Sequence, residues 1–80
     1  MSTITVRVNL YGAFKKHGDY TLLQLPAQST VENLKRLLEA HLNDQLVKDS
    51  AIACNETIVG SCYRVQPGEI ISILPPVCGG

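Results

Sequence analysis

The sequence predicts an α+β domain, with one main helix packed across one mixed sheet of four to five strands. Residues 3 to 11, TITVRVNLY, alternate apolar and polar side chains, the period of a half-buried strand. Residues 29 to 42, STVENLKRLLEAHL, change to the three-and-four spacing of an amphipathic helix. Several short apolar runs separated by turn residues come next, the last being IISIL at 70 to 74. A single helix covers only one face of such a sheet, so two layers are the natural solution.

Eighty residues hold one domain and one core, and chains this short bury only about 60% of the surface exposed on unfolding. An apolar fraction of 45% suits a folded protein, and a charged fraction of 18% is too low for disorder. Seven basic residues balance seven acidic ones. Without excess positive charge, neither nucleic acid nor an anionic membrane is an expected partner. No apolar run approaches the roughly 20 residues of a membrane span, and MSTITVRV lacks the charged and apolar regions of a signal peptide. The expected location is the cytoplasm. Three cysteines, Cys54, Cys62 and Cys78, form an odd set with no C-x-x-C pair and with His17 and His41 far away in sequence. They read as reduced thiols, with no metal site and no disulfide framework.

Taken in order, Ile4, Val6, Val8 and Leu10 share one face of the first strand, and Thr5, Arg7 and Asn9 share the other. GAFKKHGD, with glycine near both ends and charge between, reads as an exposed connection. A second strand runs from Tyr20 to Leu25 and stops at Pro26, making an antiparallel hairpin with the first. The helix is next. Val31, Leu34, Leu37, Leu38 and Leu42 form its apolar stripe, and Lys35, Arg36 and Glu39 its wet face. Ser29, three residues before Glu32, has capping-box spacing. His41, in the last turn, is suited to the helix dipole. NDQLVKDS is polar and loop-like, AIAC and TIV are short strands around an Asn55–Glu56 turn, and QPGE at 66 to 69 is a further turn. IISIL is apolar on both faces except at Ser72. A strand of that kind is usually central. Residues 71 and 73 can meet the helix, which leaves Ile70, Ser72 and Leu74 facing away. Either loops shield that second face or another protein docks on it.

The chain ends LPPVCGG. Glycine is costly to immobilise and adds nothing to a core, so folding does not account for the last pair. Pro75 and Pro76 stop the strand and stiffen the chain beyond it. Residues 75 to 80 therefore read as an extended, flexible tail on a domain of residues 1 to 74, with a reach of roughly 20 Å. Gly79 and Gly80 are thin enough for a narrow active site, and the terminal carboxylate is the useful group at the tip. A carboxylate resists nucleophiles until it is activated. The sequence carries no phosphate-cradling glycine loop with which to activate its own. It reads as a carrier or a tag, without catalysis of its own.

These residues resemble the ubiquitin-like sulfur carriers of the MoaD/ThiS family along the whole chain. The likeness rests on the opening strand running into LYGAF, the helix start STVENL, the ACNETIV hairpin and PGEIISILPPVCGG. The resemblance implies a β-grasp fold with the first and last strands as parallel neighbours at the sheet centre. It also implies a chemistry. An E1-like adenylyltransferase uses ATP to adenylate Gly80, and a sulfurtransferase system converts the adenylate to a thiocarboxylate. The tail then enters the large subunit of molybdopterin synthase, expected to form a heterotetramer with the carrier. There the sulfur passes to cyclic pyranopterin monophosphate on the way to molybdenum cofactor. No cofactor is bound by the carrier itself. The residues implied are Gly80 and Gly79 for the chemistry, and Leu74, Pro75, Pro76, Val77, Cys78, Ile70 and Ser72 for partner contact. Leu74 stands where an aromatic is common in the family, and Cys78 where a small unreactive residue is usual. Cys78 reads as a replacement for serine, or as a thiolate able to attack the activated Gly80 carbonyl or to pair oxidatively with the thiocarboxylate. Other readings are sulfur delivery to the thiamine thiazole or another metabolite, a modifier joined to lysines through Gly80, and an interaction module with an inert tail.

Overall fold

The computed structural model describes residues 2–76. Along the chain come β1 (Thr3–Leu10), a 3₁₀ segment (Gly12–His17), β2 (Tyr20–Pro26) and α1 (Val31–Leu42). A second 3₁₀ segment (Gln45–Asp49), β3 (Ala51–Cys54), β4 (Thr57–Val59) and β5 (Ile70–Leu74) complete it. The strands form one sheet in the order β2-β1-β5-β3-β4. β5 runs parallel to β1 and antiparallel to β3, and β1–β2 and β3–β4 are antiparallel hairpins. The last strand thus lies at the centre beside the first. One helix laid across this mixed sheet is a β-grasp, as the family resemblance implied.

Alternation in the strands builds the core. Val6, Val8 and Leu10 of β1, Leu23 and Leu25 of β2, and Ile71 and Ile73 of β5 are buried against Val31, Leu34 and Leu38 of α1. The tight turn between β3 and β4 has Asn55 at φ 52° and Glu56 at φ 70°. Two left-handed residues match the twist of a two-residue hairpin. In the QPGE turn, Gly68 takes φ 81° and Glu69 N–H donates to Gln66 O at 3.3 Å.

Four local expectations need correction. GAFKKHGD is no exposed connection, since it winds into the 3₁₀ segment and sends Phe14 fully into the core. NDQLVKDS likewise forms the second 3₁₀ segment and buries Val47. Phe14 alone anchors the first segment, and Val47 with the partly buried Leu46 anchors the second; one or two adjacent residues have no period to detect. Thr30, not Ser29, caps the helix: its hydroxyl accepts from Asn33 N–H at 3.3 Å. Ser29 is buried and donates its hydroxyl to Pro26 O at 2.6 Å, while Glu32 accepts from Arg36 instead of closing a capping box. The first helical donors find partners across the molecule, Val31 N–H at Tyr63 O (2.8 Å) and Glu32 N–H at Ser61 O (3.1 Å). Finally, Leu37 is 40% exposed and falls outside the buried stripe.

Candidate functional site

β5 brings the candidate residues to one place. Its inward residues Ile71 and Ile73 are sealed under the helix, while Ile70 is 59% exposed and Ser72 and Leu74 are half-buried on the far face. Loops do not shield that face at Ile70. Register extends it across the sheet: Leu22, Arg7 and Ile70 form one row, and Tyr20, Asn9, Ser72, Ala53 and Ile58 the next. Leu74 pairs with Ala51 at the end where the strand runs out.

Leu22 and Ile58, 56% and 66% exposed, and the exposed Tyr20 enlarge the apolar surface around Ile70. Sequence reasoning missed all three. A signal was present, because Leu22 is apolar and out of phase with the buried Leu23 and Leu25 of its strand, and Ile58 is apolar beside the inward, partly buried Val59. Arg7 is the charge in these rows. Its guanidinium stands 4.0 Å from the centre of the Tyr20 ring and its Nε donates to Asn9 Oδ1 at 3.1 Å. A cation placed over a ring in this way is held there by the ring's negative face.

The start of β5 is pinned by a small polar network. Ile70 N–H donates to Asn55 Oδ1 at 3.1 Å, and Asn55 N–H donates to Ile70 O at 2.9 Å. Glu69 accepts from the Tyr63 hydroxyl and from Gln66 N–H, each at 2.6 Å. That hydrogen bond, with some burial, pushes the Tyr63 phenol up to about 12. Burial pushes the Cys54 thiol up to about 11, and the Glu69 carboxylate adds to the effect. Cys54 is therefore an inert core thiol at neutral pH, whereas Cys62 is exposed. The network fixes where β5 begins, and the prolines after Leu74 fix where it ends.

At that end the chain leaves the sheet through Pro75 and Pro76, both half-buried. The ring of Pro75 lies over Gly12, just beyond the end of β1. The remaining candidates, Val77, Cys78, Gly79 and Gly80, lie outside the described residues. His41 bonds Thr21 Oγ1 through Nε2 at 2.9 Å and takes no part in the site. No helix among the described residues is long and apolar enough to cross a membrane.

Known proteins share this geometry. A family model described as "ThiS family" matches residues 8–80. No curated protein sequence matches the chain. Among solved structures, a putative molybdopterin converting factor subunit 1 from Pyrococcus furiosus superposes with TM-score 0.78 at 19% identity, covering 92% of this chain and 99% of that one. SAMP1 from Haloferax volcanii gives 0.79 at 14% identity, with 95% and 99% covered. A chain from the complex of subunits 1 and 2 of molybdopterin-converting factor from Helicobacter pylori gives 0.64 at 26% identity, with 96% and 100% covered.

Proposed function

This chain belongs to the ThiS family, and from that premise we propose that it carries sulfur on its C-terminal carboxylate for molybdopterin synthesis. The observation that supports this most directly is β5, a central strand whose outer face is apolar and open at Ile70 and which runs straight into Pro75 and Pro76. A partner seated on that face receives the tail beyond it. Ile70, Ser72 and Leu74 are its anchors on the domain, with Pro75, Pro76, Val77 and Cys78 as the neck that enters the partner's active site.

The chemistry proceeds at Gly80. Its carboxylate oxygen attacks the α-phosphorus of ATP on an E1-like enzyme, expelling pyrophosphate and leaving an acyl-adenylate. A persulfide on a sulfurtransferase attacks the carbonyl carbon and AMP departs; a thiol then reduces the S–S bond of the resulting acyl disulfide, ending as a disulfide with the sulfurtransferase and leaving a thiocarboxylate on Gly80. Gly79 and Gly80 present no side chain that would obstruct either active site. In the acceptor enzyme the thiocarboxylate sulfur attacks a carbon of cyclic pyranopterin monophosphate and displaces an oxygen substituent there; water then attacks the Gly80 carbonyl of the resulting thioester, its C–S bond breaks, the sulfur stays on the pterin and Gly80 returns to a carboxylate. The likeness to a molybdopterin-converting-factor subunit seen with its second subunit favours the large synthase subunit as partner. The likeness to SAMP1 favours a second reading, in which Gly80 is joined to lysines of target proteins.

Intact mass separates the two. The chain is purified from cells that make molybdenum cofactor and incubated with the activating enzyme, ATP and sulfide. The carrier reading expects one oxygen exchanged for sulfur at Gly80, and expects deletion of Gly80 to abolish the exchange without changing Tm. Recovery of Gly80 only in amide linkage to lysines would falsify the carrier reading and install the modifier one.

A further inference from the structure

We propose that Gly12 is a positioning residue for the C-terminal tail: its bare Cα is the seat of Pro75 and sets the heading on which the chain leaves the domain. β1 and β5 are parallel neighbours with Leu10 opposite Ile73, so both strands finish at the same edge of the sheet. Two residues beyond Leu10 stands Gly12, and two residues beyond Ile73 stands Pro75. A Cβ on Gly12 would lie 2.6 Å from Pro75 Cγ and 3.4 Å from its Cδ. The first distance is well inside van der Waals contact. A flexible side chain would swing aside, but the proline ring is closed on its own backbone and holds φ near one value, so most of any displacement passes into the chain at position 75. Proline also restricts the residue before it, which leaves Leu74 little room to absorb the shift.

The seat itself is firm. Gly12 adopts φ +57°, after an extended Tyr11, and Phe14 N–H donates to Tyr11 O at 3.1 Å just beyond it. Phe14 is fully buried, so the turn that carries Gly12 is anchored in the core. Gly68 provides the contrast: it too is left-handed, at φ +81°, but nothing lies within 4 Å of where its Cβ would be. Gly68 serves its turn alone. Gly12 serves both its turn and the tail.

The consequence for sulfur transfer rests on the carrier reading above, whereas the heading of the tail can be measured without it. Asparagine tolerates left-handed backbone, so Gly12→Asn inserts a Cβ with little added strain, and Gly68→Asn is the matched control. Both are compared with wild type, Pro75→Ala and the Gly12→Asn/Pro75→Ala double variant. Thiocarboxylate formation is measured with the activating enzyme of the same organism, ATP and sulfide. Gly12→Asn is expected to lower kcat roughly ten- to a hundredfold, as misplacement of a reacting group does, with KM unchanged because the sheet face that docks is untouched. Gly68→Asn is expected to match wild type in kcat, and the Gly12→Asn defect to shrink in the Pro75→Ala background. Equal behaviour of Gly12→Asn and Gly68→Asn, or a defect that persists in full without the proline ring, overturns the proposal. If wild type takes up no sulfur, the carrier reading fails. Residual dipolar couplings at Val77 then decide the positioning claim: values changed by Gly12→Asn and restored in the double variant support it, and unchanged values sink it.

Discussion

Phe14 is surrounded in sequence by glycine, lysine and histidine, yet its side chain is wholly buried. A short 3₁₀ turn forms around it because the burial of one aromatic ring outweighs the poorer hydrogen bonding of that helix. Replacing Phe14 with alanine is expected to cost about 3–5 kcal/mol, the usual penalty for emptying an aromatic site in a packed core. Urea denaturation checks this, and a loss below about 1 kcal/mol, within the range of an ordinary single substitution, would place the ring outside the core. Single residues of this kind are illegible in sequence because only repetition creates a pattern. Cys54 and Cys62 make the same point: eight positions apart and chemically identical, one is buried at the end of β3 and the other exposed in the connection after β4.

At the scale of elements, the two 3₁₀ segments are joined by Asp44. Its Oδ1 accepts from Leu46 N–H at 3.0 Å, capping the second segment, and its Oδ2 bonds His17 Nε2 at 3.0 Å with Lys16 Nζ at 3.6 Å. The His17 hydrogen bond, then the Leu46 N–H, hold the Asp44 carboxyl below its ordinary value of 3.8 against an opposing effect of burial. A carboxyl whose pKa is depressed on folding adds stability that is fully present above the unfolded pKa and is lost as pH falls through the folded one. Melting temperature is therefore expected to fall below about pH 3.8 partly through Asp44. Asp44→Asn is expected to lower Tm at pH 7 and to make the acid limb shallower. Parallel melts of the two proteins from pH 7 down to pH 2 check this, and identical acid limbs would remove Asp44 from the account. This link spans 27 positions, between two segments that read in sequence as a connection and a loop, so no local signal announced it.

Across the whole molecule, the sheet has a covered and an open face, and function is expected on the open one. Ile70 is the central exposed residue there, so Ile70→Asp is expected to shift stability by no more than about 1 kcal/mol, as a surface change does. The same change is expected to weaken capture of the large synthase subunit at least tenfold, because an unpaired charge buried in an apolar contact costs several kcal/mol. Titration calorimetry beside denaturant melts separates the two effects, and equal losses in both would return Ile70 to a structural role.

The sequence by itself determined the two-layer α+β class, the order of strands and helix, the inward set of apolar side chains and the break at Pro75. Each of these depends on period or on the chemistry of one residue type, which neighbours along the chain suffice to express. Even the doubly apolar character of IISIL correctly indicated a central strand with an outer face left over. Only the tertiary structure decided that β3 closes its other side, that Leu22, Tyr20 and Ile58 extend its face, and that Gly12 lies under Pro75. The physical reason is the same in every case. These are contacts between residues distant in the chain, and their partners are chosen by strand register and packing rather than by any local preference.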